Sequence, residues 1–135
     1  MSVLGMLRTM ANEVITIVAA VDDDFRVRES IESLLESAGY APVVFSSAEE
    51  FLQSGTLAAA TCVIADVRMP GMDGIELQRR IRLECPALPA ILISAHHDAE
   101  VRRTAIDEGA VDFLYKPFDA TDLLTIIQSA LTNTA

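Results

Sequence analysis

Five short apolar runs alternate with five amphipathic helical patterns along the chain, and this alternation constrains the fold more than any other feature. The apolar runs, rich in β-branched residues, are 14–21, 41–45, 61–65, 90–93 and 111–115. Nearly continuous apolar runs of this length are typical of parallel strands buried on both faces. The sequence therefore predicts an α/β domain with a doubly wound (βα)5 fold, in which helices cover both faces of a five-stranded parallel sheet.

Length and charge limit the possible classes of function. The chain has 135 residues and a net charge of -10, which predicts one domain and argues against nucleic-acid binding by that domain. We expect an N-terminal extension over residues 1–12 and the domain over residues 13–133. No apolar run approaches the roughly 18 residues of a membrane helix, and residues 1–13 lack the apolar core of a secretory signal. We therefore expect no membrane contact and a cytoplasmic location.

Polar side chains stand where the predicted strands end. They are Asp22, Asp23, Asp66, Ser94 and Lys116. Each has an ordinary interpretation, because an aspartate after a strand is more often a helix cap, and a lone serine or lysine is more often a turn or surface residue. In an open α/β sheet, however, the carboxyl ends of the strands meet at one edge, where binding sites form. Five suitable groups on that edge favour a functional site.

The chemistry of these groups indicates a phosphoryl site. Two carboxylates about 5 Å apart repel each other by roughly 3 kcal/mol at an effective dielectric constant of about 20, so three of them favour a bound cation or a raised pKa. Oxygen ligands suit Mg²⁺, which also accepts a phosphate oxygen. A lysine ammonium pairs with phosphate. The sequence predicts a metal-bound phosphoryl group with a carboxylate available as nucleophile.

Four segments at these strand ends resemble motifs of the response regulator receiver domains, the CheY-like family. They are Asp22-Asp23-Asp24, the loop Asp66-Val67-Arg68-Met69-Pro70-Gly71-Met72-Asp73-Gly74, Ile93-Ser94-Ala95, and Phe113-Leu114-Tyr115-Lys116-Pro117-Phe118. The loop is similar to the phosphoacceptor loop of FixJ-type regulators. The resemblance covers about residues 13–133 and implies a flavodoxin-like three-layer sandwich with strand order 2-1-3-4-5.

The resemblance also implies the partners and ligands of the site. Asp66 would accept a phosphoryl group from the phosphohistidine of a sensor histidine kinase or a phosphotransfer protein. Mg²⁺, or Mn²⁺, would be held by Asp22, Asp23, Asp66 and the backbone carbonyl of Arg68. Lys116 would pair with the acceptor carboxylate or the phosphoryl oxygens, and the bond between Lys116 and Pro117 would be cis.

The resemblance implies a switch as well. Ser94 would bond a phosphoryl oxygen, and Phe113 would then turn inward, which would change the face formed by the fourth helix, the fifth strand and the fifth helix. Arg68 and His96 would tune the lifetime of the phosphoryl group. That face would control an output domain or a partner protein, and phosphorylation would promote a homodimer. The domain would not be an enzyme beyond its self-catalysed phosphotransfer and dephosphorylation.

Other functions fit the residues less well. A haloacid-dehalogenase-type phosphatase needs an aspartate two residues after its nucleophile, where this chain has Arg68. A nucleotide-binding domain needs a glycine-rich loop after the first strand, where this chain has three aspartates. His96 and His97 are adjacent and therefore unsuited to bind one transition-metal ion. A receiver-like module that binds partners without phosphorylation stays open, as does the choice between a stand-alone protein and part of a longer regulator.

Overall fold

Five βα units build the fold. The computed structural model describes residues 15–133, so the predicted extension over residues 1–12 and the first two residues of the predicted domain lie outside the described residues. The strands are β1 (Ile17–Val21), β2 (Ala41–Phe45), β3 (Cys62–Asp66), β4 (Ala90–Ser94) and β5 (Asp112–Tyr115). The helices are α1 (Phe25–Ser37), α2 (Ala48–Gln53), α3 (Gly74–Glu84), α4 (Ala99–Asp107) and α5 (Ala120–Asn133).

All five strands join one parallel sheet in the order β2-β1-β3-β4-β5. This confirms the predicted fold class and strand order. The central strand β3 and its neighbour β4 are buried along their whole length, as parallel strands covered by helices on both faces must be.

The core lies in two layers, one on each face of the sheet. Alternate residues of β1 point to opposite faces, so that Ala19 and Val21 pack on one side and Val18 and Ala20 on the other. The first layer packs the sheet against α2, α3 and α4, and the second packs it against α1 and α5. The structure is therefore a three-layer sandwich, as the sequence predicts.

Side-chain caps begin the helices that follow the sheet's carboxyl edge. Asp24 accepts one backbone N–H in the first turn of α1, and Asp98 accepts two in the first turn of α4. Asp73 begins α3 with a complete capping box, since its side chain accepts the N–H of Glu76 while the Glu76 side chain accepts the N–H of Asp73. These caps start each helix directly beyond the loop that carries the site residues.

The region between β2 and β3 departs from the simple βα pattern. After α2 the chain forms a short 3₁₀ helix over Thr56–Ala58, which the helical periodicity did not predict. Gly55 precedes it with a φ of 80°, a left-handed conformation that favours glycine. Within residues 15–133, none of the helices combines the length and the apolar character needed to cross a membrane.

Candidate functional site

Three carboxylates meet at the carboxyl edge of the sheet. Asp22 directly follows β1, Asp23 comes next, and Asp66 is the last residue of β3. Each offers an oxygen within 4.8 Å of the others. Asp22 and Asp66 are buried, whereas Asp23 is exposed. The cluster therefore reaches from the interior to solvent at one edge of the sheet.

Backbone contacts hold Asp22 in place. Its N–H donates to the carbonyl of Phe45 at 3.1 Å, and its Oδ1 accepts the N–H of Asp24 at 2.9 Å. Nη1 of Arg28, one turn into α1, donates to the Asp22 carbonyl at 2.7 Å. The acidic loop, Asp22-Asp23-Asp24, is thus held by hydrogen bonds to β2 and to α1, which keep the buried Asp22 carboxylate directed at the site.

Lys116 supplies the cation of the site. Its Nζ lies 2.8 Å from Oδ2 of Asp22 and 3.5 Å from Oδ1 of Asp66. Burial lowers the pKa of Lys116, but the hydrogen bond to Asp22 and the charges of Asp22 and Asp66 outweigh it and raise the pKa above its ordinary value. The lysine is therefore charged at neutral pH and links the ends of β1, β3 and β5.

Asp66 titrates abnormally. Burial, followed by the negative charge of Asp22, raises the pKa of Asp66 to about 6, although Lys116 opposes the shift. Among the described residues, the Lys116 ammonium faces three carboxylates, so the cluster keeps an excess of negative charge. A hard divalent cation with oxygen ligands would supply the missing positive charge, so the residues present fit a Mg²⁺ ion held by Asp22, Asp23 and Asp66.

The loop between β3 and α3 follows Asp66 and contains Arg68. The N–H of Val67 donates to the carbonyl of Ile93 at 2.8 Å, and the N–H of Gly74 donates to the carbonyl of Val67 at 2.8 Å. These bonds close the loop at its base. The Arg68 side chain is exposed, and its carbonyl as a metal ligand stays a prediction.

Ser94 lies at the end of β4 beside the cluster, and its hydroxyl is bonded within its own loop. Its Oγ accepts the N–H of His96 at 3.1 Å and donates to the carbonyl of His96 at 3.3 Å. Its carbonyl accepts the N–H of Lys116 at 2.7 Å. The side chain of His96 is exposed. A hydroxyl directed at a phosphoryl group would have to exchange these loop contacts for a new one.

Phe113 already points inward. Its side chain belongs to the core and is 3% exposed, so the inward turn expected on phosphorylation is present in this conformation while the Ser94 hydroxyl is still bonded to His96. The rings of Phe113 and Tyr115 meet edge to face with centroids 5.3 Å apart. The switch roles of Ser94 and Phe113 stay predictions.

The structure thus brings Asp22, Asp23, Asp66 and Lys116 into one cluster. Ser94 lies in the strand next to Asp66 and Lys116, with its hydroxyl engaged elsewhere. The peptide bond between Lys116 and Pro117 is cis, as the resemblance implies.

Sequence reasoning missed three contacts around the site. Glu49 accepts the N–H of Met72 at 2.8 Å, and Arg28 donates to Asp22. His97 stacks on Tyr115, with centroids 4.3 Å apart and ring planes at 10°. The contacts of Glu49 and His97 join segments that are adjacent only after folding, and the local bond from Arg28 depends on a side-chain direction that no spacing along the chain signals.

Comparison with known proteins agrees with this geometry. The sequence pattern of the response regulator receiver domain matches residues 18–128. The transcriptional regulatory protein FixJ of Bradyrhizobium diazoefficiens is 40% identical over 111 residues, which are 82% of this chain and 54% of the relative. The response regulator protein TodT of Pseudomonas putida is 41% identical over 125 residues, 93% of this chain and 55% of the relative. The chain therefore spans about half the length of these relatives.

A solved structure has the same architecture. A response regulator receiver domain protein from Clostridium thermocellum superposes with a TM-score of 0.83 at 30% identity, covering 88% of this chain and 96% of that chain.

Proposed function

The chain belongs to the family of response regulator receiver domains, and we propose that Asp66 accepts a phosphoryl group from the phosphohistidine of a sensor histidine kinase or phosphotransfer protein. The receiver domain is a signalling domain of two-component systems rather than an enzyme. The observation that carries the proposal is the placement of Asp66 within 4.8 Å of Asp22 and Asp23 and 3.5 Å from the Lys116 ammonium.

The transfer follows from these positions. An oxygen of the Asp66 carboxylate forms a bond to phosphorus while the bond from phosphorus to the donor imidazole nitrogen breaks, and the electron pair of that bond stays on the imidazole. Lys116, already 3.5 Å from Asp66, stabilises the negative charge on the phosphoryl oxygens during transfer and afterwards. The loss of an Asp66 proton is not required at neutral pH, because a pKa of about 6 leaves most of the carboxylate ionised there.

The metal partner of this chemistry is Mg²⁺ or Mn²⁺. Asp22, Asp23 and Asp66 would hold it, with the Arg68 carbonyl as a further ligand. When bound, the cation neutralises charge on the phosphoryl oxygens and so lets an anionic nucleophile approach them. The meeting of three carboxylates within 4.8 Å of one another supports this assignment, and burial, together with the charge of Asp22, raises the pKa of Asp66.

The output follows from the new charge at Asp66. A phosphoryl group adds about 1.5 to 2 negative charges and strong acceptor oxygens. Ser94 would leave His96 to bond one of these oxygens, which would shift the loop before α4. Phe113 and the face of α4, β5 and α5 would transmit the change to an output domain, to a partner protein or to a second copy of the domain. The protein would act in the cytoplasm, and Arg68 and His96 would set the lifetime of the signal.

The first test is phosphorylation by acetyl phosphate, followed by intact-mass measurement. We expect the wild-type protein to gain one phosphoryl group with Mg²⁺ and none with excess EDTA. Asp66→Asn should gain none, because an amide cannot serve as the acceptor. Asp98→Asn is the matched control, since Asp98 caps α4, and it should be labelled like the wild type. Undiminished labelling of Asp66→Asn would refute the acceptor assignment, and an unlabelled but folded wild type would favour a module that works without phosphorylation.

A further inference from the structure

We propose that Glu49, at the start of α2, is a positioning residue for the metal site, because it holds the loop between β3 and α3 in the shape that Mg²⁺ binding needs. The inference rests on the proposed function of the Asp66 site and extends it to a residue that lies outside the acidic cluster.

The contact itself joins two separate parts of the chain. Oε2 of Glu49 accepts the backbone N–H of Met72 at 2.8 Å, across 23 residues. Ser47 caps α2 and so fixes the helical turn from which Glu49 extends. The hydrogen bond from Met72 lowers the pKa of Glu49 below its ordinary value, so the carboxylate is ionised at neutral pH and the bond is charge-assisted.

The loop is shaped around this carboxylate. Gly71 precedes the bonded amide with a φ of 77°, in the left-handed region. A Cβ at Gly71 would lie 2.6 Å from Oε2 of Glu49, closer than the two atoms can approach. The absence of a side chain at position 71 therefore makes room for Glu49, and the turn presents the Met72 N–H to it.

The position of this bond gives it a role in the metal site. The base of the loop is closed by the bond between Gly74 and Val67, and Arg68, whose carbonyl is the proposed metal ligand, directly follows Val67 on one arm of the loop. Glu49 ties the opposite arm of the loop, at Met72, to α2 from outside the loop. Without that tie the loop that carries the Arg68 carbonyl is less firmly held. Groups that hydrogen-bond a metal ligand directly typically change metal affinity by about 10- to 100-fold, so a tie that acts through Met72 is expected at the lower end of that range.

Glu49 could also affect a cation simply through its negative charge, and two variants separate these effects. Glu49→Gln removes the charge but keeps a side-chain oxygen that can accept the Met72 N–H. Glu49→Ala removes both. Glu50→Ala is the matched control, because Glu50 lies next to Glu49 on the exposed side of α2, and its carboxylate contacts Ser46 instead of the loop.

The experiment measures Mg²⁺ affinity of the full chain by isothermal titration calorimetry, with circular dichroism to verify that each variant is folded. We expect Glu49→Ala to bind Mg²⁺ about tenfold more weakly, and Glu49→Gln and Glu50→Ala to bind within about threefold of the wild type. Hydrogen exchange should show faster exchange of the Met72 amide in Glu49→Ala alone.

Two results would overturn the inference while leaving the proposed function intact. One is that the wild type binds Mg²⁺ and Glu49→Ala binds it with the same affinity. The other is equal weakening in Glu49→Gln and Glu49→Ala, which would assign the effect to charge. A wild type that binds no Mg²⁺ would overturn the proposed function and this inference together.

Discussion

Asp66 is an acidic side chain in surroundings that disfavour its ionised form. Burial and the neighbouring Asp22 raise the pKa of Asp66 from 3.8 to about 6. The folded state therefore holds a proton on Asp66 at pH values at which the unfolded chain has released it. The free energy of unfolding consequently falls as the pH rises from about 4 to above 6. Above that range, the stability that the bound proton adds to the folded state is lost.

We predict that Asp66→Asn stabilises the metal-free protein at pH 7.5 and not at pH 4. A shift of two pKa units corresponds to about 3 kcal/mol, and solvent screening at the edge of the sheet reduces the expected gain to about 1–2 kcal/mol. Urea unfolding in EDTA at several pH values measures the difference between variant and wild type. A difference that stays constant between pH 4 and 7.5 would show that repulsion at Asp66 is not its source.

Gln78 presents a second unfavourable group, on the face of α3 that packs toward α4. Its side chain is 3% exposed, and among the described residues its Oε1 is a buried polar atom without a hydrogen-bond partner. It lines a cavity of about 150 Å³ together with residues of α3, the end of α4 and the start of β4. An unpaired buried acceptor destabilises a fold by about 1–3 kcal/mol.

We predict that Gln78→Leu raises the free energy of unfolding by about 1 kcal/mol, because leucine has a similar size and removes the unpaired oxygen. The measurement is urea denaturation with and without the substitution. Gln128→Leu, at an exposed position of α5, is the control and should change stability by less than about 0.5 kcal/mol. A destabilised Gln78→Leu protein would mean that the amide has a partner that the described contacts do not include.

The loop between β4 and α4 is tied to β5 by an aromatic contact. His97 stacks on Tyr115 at 4.3 Å, and Tyr115 in turn meets the edge of Phe113. The loop that engages the Ser94 hydroxyl is therefore coupled to the strand that carries Phe113. Ring contacts of this kind contribute about 0.5–1.5 kcal/mol, enough to change how often the loop opens.

We predict that His97→Ala speeds amide hydrogen exchange over residues 95–98, because the loop loses its contact with β5. His96→Ala is the control: the side chain of His96 is exposed, and the bonds to Ser94 use its backbone. Equal acceleration in both variants, or none in His97→Ala, would contradict a role of the stack in holding the loop.

The strands were predictable to within a few residues, and the reasons are physical. Runs such as Cys62–Asp66 and Ala90–Ser94 are almost wholly apolar because both faces of the strand are buried, which leaves a clear signal in the sequence. The positions of Asp66, Ser94 and Lys116 at one edge follow from parallel strand direction alone. The 3₁₀ helix at Thr56–Ala58 has no comparable periodicity and went unpredicted.

Side-chain orientation was not predictable in the same way. That Phe113 is buried while the Ser94 hydroxyl bonds to His96 depends on rotamers and on packing between separate loops. The tie from Glu49 to Met72 likewise needs α2 and the loop after β3 in their folded places. The sequence therefore predicted which residues gather at the site, whereas their side-chain contacts are seen only in the folded structure.

The whole molecule carries a net charge of -10, so its compact state contains considerable self-repulsion. Any salt screens that repulsion, whereas a bound cation stabilises the native state by mass action. We predict that Mg²⁺ at 100 times its dissociation constant raises the free energy of unfolding by about 2.7 kcal/mol.

Thermal or urea unfolding with Mg²⁺, and with NaCl at the same ionic strength, separates the two effects. The gain from Mg²⁺ should exceed that from NaCl in the wild type and should shrink in Asp23→Asn, which lacks one proposed ligand. Equal stabilisation by both salts would argue against a specific metal site.

The ion pair between Lys116 and Asp22 spans 94 residues. A polypeptide still emerging from the ribosome exposes its acidic loop long before the lysine that neutralises it has been synthesised. The charged centre is consequently completed by the last βα unit, and a chain truncated before β5 would present crowded acids without the Lys116 ammonium.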